Sequence, residues 1–508
     1  MPASQDLGLS LYFARQLAER PNEIAISDAE GERTWTTLDR RVAAVAHLLL
    51  DQCELQPGDH VALLIGNRIE FIEALLGSLL AGLWVTPINT HLAAAEVAYI
   101  VDDCGASMVF HDRSLSPLLA ATGCARLNIE TCDSALDNMP VEAPVTLASP
   151  AGGAMLYTSG TTGRPKGVKR ANPATVKEMI ERFQTLGKVI GLCGEGVHLV
   201  TGPLYHAAPG LYAVYDMMSG ARVVIMPRWD CARFFHWVEA HRITTTHLVP
   251  TMFVRLLEHA EQQRSGFDAD ISSLRLVMHG AAPVSREVKQ RMIEWWGPIL
   301  REYWGSTEAG TISIVDSQEW LSHPGTVGRA LPHYEVYIGN ELGEPIEDHE
   351  GLLFSRHRSL AQAFSYHNDP EKTRETHPQP FTFCIGDIGW LDHEGYIYLS
   401  DRKSNMIISG GVNIYPAEVE QGLSAHPDVV DVAVFGMPDD EWGERVCALI
   451  QLRPHVSRSE EQADALAQFA RGHMAAFKVP RSIQFIDEIP RTPTGKAVVR
   501  VLRDVWRH

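Results

Sequence analysis

The chain is short of several things, and each shortage narrows what it can be. Its eight cysteines (Cys53, Cys104, Cys124, Cys132, Cys193, Cys231, Cys384 and Cys447) include no CxxC pair, so neither a zinc ribbon nor a disulfide framework is written into it. They read as reduced, mostly buried thiols of a cytoplasmic protein. No long apolar run is present: Ala74–Val85 is the longest and is interrupted by Gly77 and Gly82, too short to span a bilayer. Met1–Ser10 has neither the basic start nor the apolar centre of a secretory signal. Basic residues are scarce, 44 against 63 acidic, for a net charge of −19. A nucleic-acid partner, which needs a basic face, is excluded on that ground. A bound anion is not, because a few local donors can hold one in a negative protein. There is no short repeat and no low-complexity tract.

What remains is ample for large cores, with 45% hydrophobic residues in 508. Over the first 400 residues helical periodicity alternates with short apolar runs. Leu38–Leu50 carries Leu38, Val42, Val45, Ala46 and Leu49 on one helical face, and Val61–Ile65 (VALLI) reads as a buried strand. Ile69–Ala81 and Val97–Asp103 read as helices; Ser107–Phe110, Arg222–Met226, Thr244–Val249 and Leu274–His279 read as strands. This alternation predicts an α/β fold: a large N-terminal domain of parallel sheets flanked by helices. From about Val327 the pieces Glu335–Ile338, Gly351–Ser355 and Tyr396–Leu399 predict a β-rich subdomain. After Asp401-Arg402-Lys403 comes a small α+β domain with helices at Ala417–Leu423 and Glu460–His473 and strands at Val429–Phe435, Val446–Leu452 and Ile483–Ile486. The division expected is 1–401 and 402–508, with a mobile C-terminal domain and a hinge near 401–404.

Four motifs carry chemistry. In YTSGTTGRPKGV (Tyr157–Val168) an apolar run ends in glycines and hydroxyls, which turn N–H and O–H donors towards one point, while Lys166 adds a point charge suited to a triphosphate. The lysine is followed by Gly167, so this is not a Walker loop. In YWGSTEAG (Tyr303–Gly310) an aromatic, two hydroxyls and a carboxylate can stack a base, bond a phosphate and ligate Mg²⁺. Gly386-Asp387, followed by Arg402, offers a carboxylate to a ribose. RTPTGK (Arg491–Lys496) is a tight turn with a lysine at its tip. Each alone is more often a surface loop; their order and spacing decide otherwise.

Together, from AGLWVTPINTHLAAAEVAYIVDDCG (Ala81–Gly105) to the terminal RTPTGK, they resemble the adenylate-forming superfamily of acyl-CoA synthetases, luciferases and peptide-synthetase adenylation domains. The resemblance implies ATP, Mg²⁺ and coenzyme A as cofactors and a small-molecule carboxylic acid as substrate. Thr158, Ser159, Gly160, Thr161, Thr162, Gly163 and Lys166 would hold the β- and γ-phosphates. Gly280, Ala281, Ala282 and Pro283 would line the adenine site, with Trp304 beside the base. Thr307 would contact the α-phosphate, Glu308 would ligate Mg²⁺, and Asp387 and Arg402 would hold the ribose. Lys496 would bridge the substrate carboxylate and α-phosphate. Tyr205-His206 match an aromatic–His pair at the acyl pocket, and Gly410 and Gly411 a segment lining the thiol tunnel. The sequence departs from the family at Ser404, where the hinge usually has Asp or Lys, at Cys384-Ile385 in place of Arg-Thr, and at Trp304 in place of tyrosine.

Three activities share these motifs: an acyl-CoA synthetase, a stand-alone adenylation enzyme loading a carrier protein, and a luciferase-like oxygenase. No carrier domain follows His508, and the first is favoured. The expected acyl-pocket segments, His206–Tyr212, His279–Pro283 and Gly305–Ile312, are rich in Ala and Gly, which either leaves room for a lipophilic fatty, aryl or steroid-type acid or reflects close backbone packing. The oligomeric state is left open, a homodimer included.

Overall fold

The computed structural model describes residues 11–158, 165–262, 269–347, 349–402, 405–409, 412–439, 442–492 and 495–506, the side chains of 133–135 and 402 excepted. Among these residues the chain forms four sheets, and the fold is α/β as the alternation predicts. The nine-stranded sheet runs Arg329–Ala330, Gly310–Asp316, Leu300–Ser306, Leu276–His279, Thr245–Leu248, Val197–Val200, Arg222–Ile225, Ile24–Ser27, Glu32–Thr34. Its centre is parallel and its edges are antiparallel. The seven-stranded sheet runs Phe364–Tyr366, Lys166–Arg170, Gly153–Thr158, Trp84–Pro87, His60–Leu64, Ala106–His111, Ala125–Asn128.

Helices Trp35–His47, Ile69–Leu80 and Ala207–Ser219 lie between these two sheets and share one core with them, containing Trp35, Leu38, Phe71, Val61, Val85 and Ile225. Thr34 caps the first of these helices, its side chain accepting from Thr37 N. A helix buried on two sides must be apolar nearly all round, and Ile69–Leu80 is. The predicted β-rich subdomain is the sheet Tyr334–Ile338, Gly351–His357, Asp387–Leu391, Ile397–Arg402. In the C-terminal part Val412–Ile414, Ile407–Ser409, Gly443–Leu452 and Val429–Asp439 form a sheet joined by Ser482–Phe485, with helices Pro416–Ser424 and Glu460–His473 packed on it.

Two expectations need correcting. The helix beginning at Trp35 ends its α-turns at His47, and Leu48–Gln52 continues as π-type turns. The cysteines are all free, but only Cys104, Cys132 and Cys447 are buried; Cys193 is exposed and the other four are intermediate. No helix of the described residues is long and apolar enough to cross a membrane.

Candidate active site

The strand Gly153–Thr158 and the strand Lys166–Arg170 run antiparallel, with Thr158 opposite Lys166. Ser159, Gly160, Thr161, Thr162 and Gly163, predicted to hold phosphates, lie outside the described residues, as do Gly410, Gly411 and the hinge position Ser404. Lys166 Nζ is ion-paired with Asp369, whose carboxylate also caps helix Pro370–Thr376 by accepting from Lys372 N at 2.9 Å. The Lys166 ammonium holds that carboxyl below the usual carboxylate range. Three residues earlier, the Tyr366 hydroxyl donates to Glu308 Oε1 at 3.1 Å. Arg170 reaches across as well, its Nε donating to the Thr307 carbonyl at 2.9 Å. Ser306 Oγ accepts from Glu308 N and Ala309 N, both at 3.1 Å, which closes the turn bearing Thr307 and Glu308. Lys166, Thr307 and Glu308 are therefore brought together, through three side chains that motif reading passed over: Arg170, Tyr366 and Asp369. Only Asp369-Pro370 carried a visible signal, a helix start.

Gly280–Pro283 follow the strand Leu276–His279. A Cβ on Gly280 would lie 2.7 Å from the Tyr303 carbonyl oxygen, and Ala281 has φ +68°, a left-handed conformation rare for any residue with a side chain. The turn thus lies hard against the strand Leu300–Ser306. Trp304 on that strand is buried, 5% exposed, and its Nε1–H donates to Asp387 Oδ2 at 2.8 Å; Asp387 is 5% exposed too. The indole is packed among Val168, Ile312 and Val327. Asp387 and Arg402 stand opposite one another on paired strands. No group of three or more His, Cys, Asp or Glu suited to a metal occurs among the described residues. Glu308 alone matches the way Mg²⁺ is held by one or two carboxylates and the phosphates of a nucleotide.

Lys496 sits on a turn closed by Gly495 N→Thr492 O at 2.8 Å and Thr492 N→Lys496 O at 2.9 Å. Arg491 braces this turn: it forks onto Asp431 at 2.9 and 2.8 Å and donates to the Gly495 carbonyl at 3.1 Å. Gly495 is buried against Thr251 of the N-terminal part, where a Cβ would lie 3.1 Å from Thr251 Oγ1. Arg453 pairs with Glu261 at 2.7 Å at a cleft of about 770 Å³ lined also by Thr251, Ala282, Pro283, Tyr415 and Arg491, and Arg255 pairs with Glu488. Lys496 is close enough to His206 for its charge to be felt there. Burial first, and Lys496 second, push that imidazole down to about 4.

His206 stands at the N-terminal boundary of helix Ala207–Ser219 without a side-chain capping bond, its ring 4.6 Å from that of Tyr205. His206 Nε2 and the Tyr205 hydroxyl are buried with no protein partner among the described residues, the signature of groups awaiting a ligand or a water. Two features of the expected acyl segments bear on how much room they leave. Gly210 is small because a Cβ there would lie 2.4 Å from the Leu204 carbonyl oxygen, so it serves backbone packing and not pocket room. And Tyr212 and Thr311, at the far ends of two of the segments, are joined hydroxyl to hydroxyl at 2.8 Å.

Comparison with known proteins matches residues 13–364 to the AMP-binding enzyme family and residues 418–496 to the AMP-binding enzyme C-terminal domain. Feruloyl-CoA synthase of Amycolatopsis sp is 31% identical over 494 residues, 96% of this chain and 97% of that one. A long-chain-fatty-acid–CoA ligase of Mycobacterium tuberculosis is 30% identical over 459 residues, 88% of each. The solved structure of o-succinylbenzoate CoA synthetase from Bacillus subtilis, in complex with its acyl-adenylate intermediate, superposes with a TM-score of 0.81 at 26% identity, covering 97% of this chain and 98% of that one.

Proposed function

The chain belongs to the AMP-binding enzymes, and from that premise we propose that it is an ATP-dependent, AMP-forming acyl-CoA synthetase, cytoplasmic, acting on a lipophilic acid. The observation that supports the proposal is the seating of Gly495, the residue before Lys496, against Thr251 of the N-terminal part. In the first step the substrate carboxylate attacks the α-phosphorus of ATP, forming acyl-AMP and expelling pyrophosphate. A carboxylate is already nucleophilic at neutral pH, so the step needs no general base. It needs positive charge where negative charge accumulates.

Lys496 supplies that charge at the junction of carboxylate and α-phosphate, with Thr307 donating to the phosphate. Lys166, released from Asp369, follows the departing pyrophosphate. Glu308, held by Tyr366, would hold Mg²⁺, which would supply charge to neutralise the phosphates. Asp387 and Arg402 take the ribose and Gly280–Pro283 the adenine. His206, kept neutral by burial, borders the acyl entrance. In the second step the thiol of coenzyme A displaces AMP. For this the domain 402–508 turns on its hinge relative to 1–401, withdrawing Lys496 and presenting Gly410-Gly411.

The test is pyrophosphate release from ATP across a panel of fatty, aryl and polycyclic acids, followed by addition of coenzyme A or of carrier proteins. Acid-dependent pyrophosphate release with AMP and thioester appearing on coenzyme A supports the reading. Turnover only with a carrier protein, or light emission with oxygen, would replace it.

A further inference from the structure

The helix Pro250–Gln262 has two faces with different duties. Met252, Phe253, Leu256 and Leu257 are buried in the N-terminal core with Leu199 and Val277. Thr251, Arg255, Glu258 and Glu261, spaced three and four residues apart, fall on the opposite face. Three of these four meet the C-terminal part: Gly495 lies against Thr251, Glu488 pairs with Arg255, and Arg453 pairs with Glu261 at 2.7 Å. The two ion pairs have opposite polarity. The helix gives the cation to one and the anion to the other, so a C-terminal part displaced along the helix or turned end for end would set like charges against each other.

One pair is prepared in advance. Glu261 Oε1 accepts from Arg291 on the neighbouring helix Arg286–Trp296, leaving Oε2 for Arg453 Nη1. Arg453 is held as well, its Nε donating to the Pro427 carbonyl at 2.7 Å. Two side chains already fixed lose little freedom on meeting, which is the usual cost of an ion pair at a surface. Arg255 and Glu488 are both exposed, and such a pair adds little to folding. A seat that is made and undone in every catalytic cycle is another matter, because small energies decide the balance between two populated arrangements.

Resting on the synthetase reading, we propose that Arg255 and Glu261 are positioning residues: with Glu488 and Arg453 they form an electrostatic latch that seats the Lys496 turn for adenylation, and its strength sets how the enzyme divides its time between the two half-reactions. The experiment uses the full-length protein at saturating ATP and acid, with acyl-AMP formation and thioester formation from pre-made acyl-AMP and coenzyme A measured apart. Arg255→Glu and Glu488→Arg each replace an attracting pair by a repelling one. Each is expected to slow acyl-AMP formation about threefold to tenfold and to leave thioester formation unchanged or faster. The double reversal remakes the pair and is expected to return acyl-AMP formation to within about twofold of the wild type. Raising the ionic strength from about 20 mM to about 500 mM should slow acyl-AMP formation in the wild type, and less so in Glu488→Gln/Arg453→Met, where no latch is left to screen. Single reversals that change neither half-reaction or both equally, or a double reversal as slow as the singles, would overturn this inference and leave the synthetase reading intact. No pyrophosphate release from any acid would overturn the synthetase reading itself.

Discussion

Replacing Trp304 by phenylalanine keeps an aromatic ring on the strand Leu300–Ser306 and removes one indole N–H. That N–H donates to Asp387 Oδ2 at 2.8 Å, between two side chains that are each 5% exposed. A hydrogen bond to a charged acceptor contributes about 1.5–3 kcal/mol. The smaller ring also leaves a void beside Ile312 and Val327, costing roughly 1–2 kcal/mol of stability. If the bond holds Asp387 ready for the ribose, the first quantity is lost from nucleotide binding, raising KM for ATP about 10- to 100-fold with a smaller effect on kcat. The assay is pyrophosphate release with ATP and with 3′-deoxy-ATP, alongside a thermal melt. The wild type should favour ATP strongly, and Trp304→Phe should shrink that preference, because a carboxylate no longer held in place gains less from the missing hydroxyl. A variant that melts lower yet keeps both the KM and the preference would refute the reasoning and reduce Trp304 to packing.

Arg491→Met removes the brace on the Lys496 turn. Acyl-AMP formation should fall at least tenfold while thioester formation from pre-made acyl-AMP falls much less, measured as separate half-reactions. Glu420, which accepts from Val434 N at 2.8 Å, is pushed up to about 7 by burial. The folded protein therefore holds a proton there that the unfolded chain has lost, and stability declines as pH rises from about 5 through 7, by roughly 1–3 kcal/mol. Urea midpoints against pH should show that decline in the wild type and not in Glu420→Gln. Gly210→Ala should destabilise by about 1–3 kcal/mol through contact with the Leu204 carbonyl and lower activity on short and bulky acids alike. Loss confined to bulky acids would return Gly210 to the pocket.

Elements whose register is local were legible in the sequence. Glu460–His473 is the helix its periodicity predicts, opened by Ser459 as cap. Lengths set by a distant partner were not. The strand expected at Val429–Phe435 extends to Asp439 because the ladder to Gly443–Leu452 continues through Met437 opposite Arg445 and Pro438 opposite Glu444, past the end of the apolar run. The same division holds at the site. Lys166, Glu308, Asp387 and Lys496 announce themselves because each lies in an unusual local order of residues. Their supports do not: Tyr366 meets Glu308, Trp304 meets Asp387 and Arg491 meets Asp431 across long stretches of chain, and no local pattern encodes which tyrosine or arginine arrives. The acyl region misled for a related reason. Ala and Gly in HAAPGLY suggest space, whereas Gly210 is demanded by a backbone carbonyl.

The central claim is that one lysine, carried by the C-terminal part to the N-terminal part, serves adenylation and nothing later. Lys496→Ala tests it most directly, with the two half-reactions measured apart on the same folded preparation. Acid and ATP should give almost no acyl-AMP or pyrophosphate, whereas pre-made acyl-AMP and coenzyme A should still give thioester and AMP at a substantial rate. Loss of both half-reactions, or retention of the first, would contradict the account.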